Sequence, residues 1–180
     1  MVQKRKGRHR TMHMKRIIVI GCPGSGKSTF ARALQTQLGL PVYYRDMRYW
    51  NADRTTVSKE EFRARLAEVL AREEWIIDGN YGSTMEMRMA VCDTVFFLDY
   101  PTEVCLAGIR ERRGKVRPDM PWVEHEEDAE FAAFVKQYRE EQRPRVFALL
   151  QKYSDLQITV IHDRAEAEGY LQTLTPKSET

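Results

Sequence analysis

The run Gly21-Cys22-Pro23-Gly24-Ser25-Gly26-Lys27-Ser28-Thr29 carries the spacing GxxxxGK[ST]. A loop of this type can grip a polyphosphate. Its glycines permit a tight turn and let backbone approach phosphate oxygens closely. Successive main-chain N–H groups, joined to the N-terminus of a following helix, make an anion cradle. Lys27 can reach the β- and γ-phosphates, and the Ser28 hydroxyl can be placed on Mg²⁺.

Three aspartates stand where such a loop needs carboxylates. Asp46, Asp78 and Asp99 each lie at or just past the C-terminal end of a predicted strand, the edge at which open α/β sheets bind ligands. A carboxylate there can hold Mg²⁺ through water or take a proton from an attacking hydroxyl. Asp78 follows an apolar strand, precedes Gly79-Asn80, and is read as a site residue. Asp46 is either the group that orients or deprotonates an acceptor or a turn residue. Asp99, followed by Tyr100-Pro101, is read as the cap of the next helix.

Arg110, Arg112 and Arg113 precede a Gly/Pro-bearing stretch, Arg117 lies within it, and Arg143 and Arg145 follow further on. Guanidinium forks suit phosphate oxygens and the charge that spreads over a transferring phosphoryl group. The group beside the loop is read as phosphate ligands rather than as a solvated face paired with Glu111, Glu140 and Glu141. Arg88, alone on a short helix, is either an acceptor-phosphate ligand or a surface residue. His125 and His162 have no partners at metal or catalytic spacing and are read as structural or surface groups. Tyr49, Trp50, Tyr81 and Trp122 fall in loops that flank the expected cleft.

The elements that must position these residues alternate strand and helix. Arg16–Gly21 is a continuous β-branched run, the pattern of a strand buried on both faces. Lys27–Leu38 is a helix with Phe30, Leu34 and Leu38 on one face, ended by Gly39 and Pro41. Val42–Arg45 is a second strand. Ser58-Lys59-Glu60-Glu61 is a capping box opening a helix through Phe62, Leu66, Val69 and Leu70. Trp75–Asp78 and Thr94–Asp99 are the third and fourth strands, with a short helix over Ser83–Ala90 between them. Pro101–Arg113 is a helix. Residues 114–127, with Gly114, Pro118 and Pro121, form a loop or lid. Asp128–Tyr153 is helical in pattern with a break at Pro144. Ile158–Ile161 is the fifth strand and Arg164–Leu174 the final helix. Short apolar strands alternating with helices predict a parallel sheet covered on both faces.

Composition bounds the rest. With 180 residues, 42% of them hydrophobic and 31% charged, the chain suits one core-bearing domain and excludes wholesale disorder or a disulfide-stapled miniature. No apolar run approaches the length of a membrane span. Cys22, Cys92 and Cys105 form no CxxC pair and suit a reducing, cytoplasmic setting. Residues 1–16 hold seven basic side chains and no acid, and the other 164 hold 22 basic and 26 acidic. The net charge of +3 is thus a property of the N-terminus. Residues 1–14 are expected to be a flexible basic tail, with one domain over 15–176. Such a tail can meet nucleic acid through phosphates or be a solvated extension. Translation starting at Met12 or Met14 would open the chain directly on its first strand.

Taken together, GCPGSGKST, the strand-end Asp46 with Tyr49-Trp50 close behind, WIIDGNYGSTMEMR, DTVFFLDYP and Val116-Arg117-Pro118-Asp119-Met120-Pro121 resemble the bacterial DNA topology modulation proteins, which are adenylate-kinase-like P-loop proteins. The resemblance spans about residues 15–170. It implies a nucleoside-monophosphate-kinase-like P-loop NTPase fold: five parallel strands in order 2-3-1-4-5, helices on both faces and a short lid. It also implies ATP and Mg²⁺ as cofactors, a Mg²⁺–water role for Asp78, and phosphate clamping by Arg113 and Arg117. The chain departs from adenylate kinases on the acceptor side, where their Gly-Phe-Pro-Arg is Gly79-Asn80-Tyr81-Gly82. It departs again after the lid, where Trp122–Asp128 replaces a Gly-Cys-Pro-Glu stretch.

Two functions follow as expectations. One is a small kinase that moves the γ-phosphoryl group of ATP to a small acceptor such as a nucleotide or nucleoside. The other is a nucleotide-dependent regulatory or DNA-associated protein with little transfer activity, a role the basic tail favours and the acidic body opposes. A GTPase is less well matched, since no NKxD segment is present.

Overall fold

The computed structural model describes residues 14–44, 55–80, 82–126 and 128–174. The basic residues 1–13, Asp46, Tyr49, Trp50 and Tyr81 lie outside the described residues.

Five parallel strands, β1 (Arg16–Gly21), β2 (Val42–Tyr44), β3 (Trp75–Asp78), β4 (Thr94–Leu98) and β5 (Gln157–Ile161), form one sheet in the order β2-β3-β1-β4-β5. Among the described residues the helices are α1 (Lys27–Leu38), α2 (Lys59–Leu70), α3 (Gly82–Met89), α4 (Thr102–Glu111), α5 (Ala129–Glu141), α6 (Arg143–Lys152) and α7 (Arg164–Thr173). The expected order and the alternation of elements are both present.

The β-branched run of β1 is continuous because the strand is central and covered twice. Ile17 and Val19 face a layer containing Phe30 and Leu34 of α1, Phe96, Val135 of α5 and Ala167 of α7. Ile18 and Ile20 face the opposite layer, with Leu66 and Val69 of α2, Met85 and Met89 of α3, and Val146 and Leu150 of α6. All four β1 side chains are fully buried. Each contributes about 1.5–3 kcal/mol by leaving water. Phe30 also meets Phe96 edge to face, with ring centroids 5.1 Å apart.

The register fixes the functional edge. Val19 of β1 lies opposite Asp78 of β3, and Gly21 opposite Leu98 of β4. The end of β1, Asp78 and Asp99 therefore emerge side by side at the C-terminal edge of the sheet.

Helix boundaries follow local chemistry. The Ser58 side chain accepts a hydrogen bond from the Glu61 N–H, as its capping sequence predicts. The helical stretch after residue 128 divides into α5 and α6 at Gln142, with Pro144 in the first turn of α6. Proline has no N–H to donate backward, so it is tolerated at a helix start and not inside one. Asp128 caps α5 by accepting from Phe131 N at 2.9 Å.

Candidate functional site

The loop between β1 and α1 adopts an anion-binding shape. Gly26, at φ 88°, is the N-cap of α1, and no side chain caps this helix. The first intrahelical bond runs from Phe30 N to the Gly26 carbonyl at 2.9 Å, so the amides of Ser28 and Thr29 precede the helical ladder. No acidic residue occupies the first turn, which leaves the positive end of the helix dipole available to an anion. The Lys27 ammonium donates to the Cys22 carbonyl at 3.1 Å and folds over the loop.

Two contacts hold the loop from outside. The Asn80 side chain brackets Gly21: its Oδ1 accepts from Gly21 N at 3.0 Å and its Nδ2 donates to the Gly21 carbonyl. The amide thus acts as a short extra strand that ties the end of β3 to the start of the loop. On the other side α4 packs backbone to backbone against Gly24. A Cβ on Gly24, which sits at φ 85°, would lie 2.0 Å from the Cys105 carbonyl oxygen. A Cβ on Gly108 would lie 2.0 Å from the Gly24 oxygen. We therefore expect Gly108→Ala to cost about 1–3 kcal/mol by overpacking and to weaken nucleotide binding, as read by denaturant unfolding and nucleotide titration. Gly169→Ala on α7, where nothing lies within 4 Å, is expected to stabilise by about 0.5–1 kcal/mol.

Cys22 points inward rather than toward the cleft. A hydrogen bond with Cys105, reinforced by burial, raises its thiol well above the ordinary range. It remains protonated and serves packing, not nucleophilic chemistry.

The loop opens into a cleft of about 570 Å³, within the size range of small-molecule sites. Its lining carries six basic side chains, Lys27, Arg32, Arg112, Lys115, Arg117 and Arg164, against the acids Glu111, Asp119 and Glu168. Ala167 and Leu171 of α7 add an apolar part to the wall. The cleft is thus basic although the chain beyond its N-terminus is net acidic.

Ser28 lies at the centre of the polar groups. Its Oγ is 2.6 Å from Asp78 Oδ2. Asp78, the last residue of β3, is 5% exposed. A hydroxyl beside a buried carboxylate at a helix N-terminus offers oxygen donors only, the kind a hard divalent cation such as Mg²⁺ prefers. The donor set fits the ion that the sequence implies. The same Oγ is 3.0 Å from Asp119 Oδ2, from the 114–126 segment. Sequence reasoning singled out neither Asp119 nor Asn80. The signals were an acid set between two prolines of a lid-like stretch and an Asn following the strand-end Asp-Gly.

The predicted arginines separate by role. Arg112 and Arg117 line the cleft; Arg113 does not, and with Arg112, Trp122, His125 and Phe131 it lines a second cavity of about 630 Å³. Glu124 bridges the two cleft arginines, at 3.1 Å from Arg112 Nε and 3.4 Å from Arg117 Nη2. Its backbone carbonyl accepts from Gly114 N at 2.7 Å, so the segment closes on itself. Arg110 and Arg145 are exposed. Arg88 is not a surface residue: it is 1% exposed, and its Nη1 donates to the Gly79 carbonyl at 2.7 Å. There it supports the turn that carries Asn80. His162 lies at the surface beside Glu166, 3.1 Å away.

Asp99 does not cap α4. The N-cap position belongs to Pro101, and no side chain caps the helix. The Asp99 carboxylate instead accepts two hydrogen bonds from Arg143, from Nε at 2.7 Å and Nη2 at 2.8 Å. A carboxylate with a side-chain exposure of 4% needs a fixed counter-charge, and α6 supplies it. The pair removes Arg143 from the phosphate ligands. Its guanidinium also sits 4.6 Å from the Phe147 ring centroid.

Solved structures share this architecture. A shikimate kinase from Bacteroides thetaiotaomicron matches with a TM-score of 0.58 and 24% identity, covering 89% of this chain and 96% of that one. A shikimate kinase from Acinetobacter baumannii, in complex with shikimate, gives 0.59 and 20% over 88% and 89%. A gluconokinase from Sinorhizobium meliloti gives 0.56 and 17% over 91% and 94%. This chain shares their fold. No family model matches the sequence, and no curated protein matches it. These likenesses support a P-loop kinase-like fold and do not show the DNA topology modulation family specifically. Among the described residues no helix is long and apolar enough to cross a membrane.

Proposed function

We propose that this protein is an ATP-dependent phosphotransferase that moves the γ-phosphoryl group to a small acceptor. The observation that carries this reading is the uncapped α1 N-terminus with Ser28 against the buried Asp78, opening into a basic cleft. The loop amides of Gly24 to Thr29 hold the phosphate chain, and Lys27 leaves the Cys22 carbonyl to meet its terminal oxygens. Ser28 and Asp78 would hold Mg²⁺, which supplies neutralisation of charge on the β- and γ-phosphates. Arg112 and Arg117 stabilise the charge spread over the transferring group. Arg113 enters from the second cavity side when the 114–127 lid moves. Asp46 orients the acceptor hydroxyl or takes its proton. A closed lid excludes water and suppresses hydrolysis.

A small acceptor is supported by the kind of protein that shares the fold, including a kinase whose structure holds shikimate. The adenylate-kinase-like acceptor is less well supported, because Gly79-Asn80-Tyr81-Gly82 replaces the Gly-Phe-Pro-Arg of that family and Asn80 is engaged with Gly21. The deciding experiment supplies purified protein with MgATP and a panel of nucleosides, nucleotides and small hydroxylated metabolites. Acceptor-dependent ADP release is expected. Release independent of every acceptor, together with DNA binding that survives deletion of residues 1–13, would favour the nucleotide-dependent regulator instead.

A further inference from the structure

The Ser28 hydroxyl faces two carboxylates at once, Asp78 Oδ2 at 2.6 Å and Asp119 Oδ2 at 3.0 Å. A hydroxyl carries one proton and can donate to one of them. The other carboxylate then faces a lone pair, an arrangement that is favourable only when positive charge lies between. Arg117 approaches Asp119 at 3.5 Å and answers part of that charge. Asp78 and Ser28 are on the rigid core, at the end of β3 and the start of α1, whereas Asp119 is on the loop between α4 and α5. One oxygen is therefore shared between the strand-and-helix core and a loop that lines the cleft.

We infer that Asp119 couples the lid to the divalent cation: with the ion on Ser28 and Asp78, the Asp119 carboxylate is drawn to the same charge and pins residues 114–126 over the phosphates. This rests on the MgATP reading above and extends it to regulation of the same site. Asp119 acts through the ion and is a positioning residue. Nucleotide alone gives Asp119 no cation to meet and leaves the segment unrecruited, and nucleotide with metal recruits it. The lid then closes on the metal complex and not on free nucleotide, which selects the reactive form of the substrate.

The test uses the full chain and ADP. Calorimetric ADP titrations at stepped magnesium concentrations are compared for wild type and Asp119→Asn, with Mn²⁺ binding followed by electron paramagnetic resonance. Trp122, three residues from Asp119, reports lid position by its emission, and Trp122→Phe identifies that signal. Asp119→Asn is expected to raise the magnesium concentration at half-effect by about tenfold, to leave metal-free ADP binding unchanged, and to abolish the metal-dependent part of the Trp122 response. An unchanged magnesium requirement in Asp119→Asn overturns the inference. So does tighter metal-free ADP binding in that variant, which would make Asp119 a simple latch on the empty loop. Wild type alone gives an independent check, since a full Trp122 response to ADP without metal also overturns it. Failure of wild type to bind ADP under any condition would instead remove the phosphate-loop reading itself.

Discussion

Lys27→Ala is expected to lower phosphoryl transfer by about 10³-fold while leaving the fold intact. The ammonium is the one full positive charge carried by the loop itself, and it rests on the Cys22 carbonyl within reach of the cleft. Removing a preorganised group that meets developing charge in a water-poor site costs roughly 10²–10³ in rate, and loss of a whole charge belongs at the upper end. Stability should move by about 1 kcal/mol, because the hydrogen bond to the Cys22 carbonyl comes from a part-exposed side chain. Steady-state ADP release with the best acceptor, measured beside a thermal melt, separates the two effects. A variant that is fully active, or one that is merely unfolded, would both speak against the assigned role.

The second large effect concerns stability and lies at the neighbouring strand end. Arg143→Ala should destabilise the protein by about 3–5 kcal/mol. The Asp99 carboxylate, 4% exposed in the intact pair, loses both of its hydrogen bonds from the guanidinium. The pairing also raises the Arg143 pKa, through its hydrogen bonds to Asp99. For a chain of this length roughly 2–4 °C is lost per kcal/mol, so the melting midpoint should fall by on the order of 10 °C. Adding Asp99→Asn to the Arg143→Ala background should recover part of the loss, because the orphaned negative charge disappears. A double-mutant cycle read by denaturant unfolding checks this. Additive costs for the two substitutions would mean the pair is not coupled.

These two residues show where sequence reading reaches and where it stops. The phosphate loop was legible because its chemistry is local: spacing, glycines and the flanking strand and helix lie within one stretch, Arg16–Leu38. The sheet order followed from the resemblance, and the layers from the apolar runs. The Ser58 cap and the Pro144 break were legible for the same reason, since each depends on neighbours within a turn. Asp78 and Asp99, by contrast, look alike in sequence, each a strand-end acid after an apolar run. What separates them is a partner 50 residues away for Asp78 and 44 away for Asp99, and no local pattern encodes that. Arg88 was ambiguous because burial of an arginine is decided by the packing of α3 on the sheet. Asn80 merely follows the strand-end Asp78-Gly79 in sequence, and its double bond to Gly21 spans 59 residues. Asp119 reaches Ser28 across 91. The arginines divide between cleft, second cavity and ion pair according to where α4, the lid and α6 meet, which composition cannot tell.

The most direct measurement is a calorimetric titration of the folded protein with ATP in magnesium, run in parallel on Lys27→Ala. Saturable heat from one site in wild type, greatly weakened in the variant, is the expected result. No heat at millimolar nucleotide from a chain that melts cooperatively, or equal binding by the two proteins, would contradict the assignment of Gly21–Thr29 as the site that holds the phosphates.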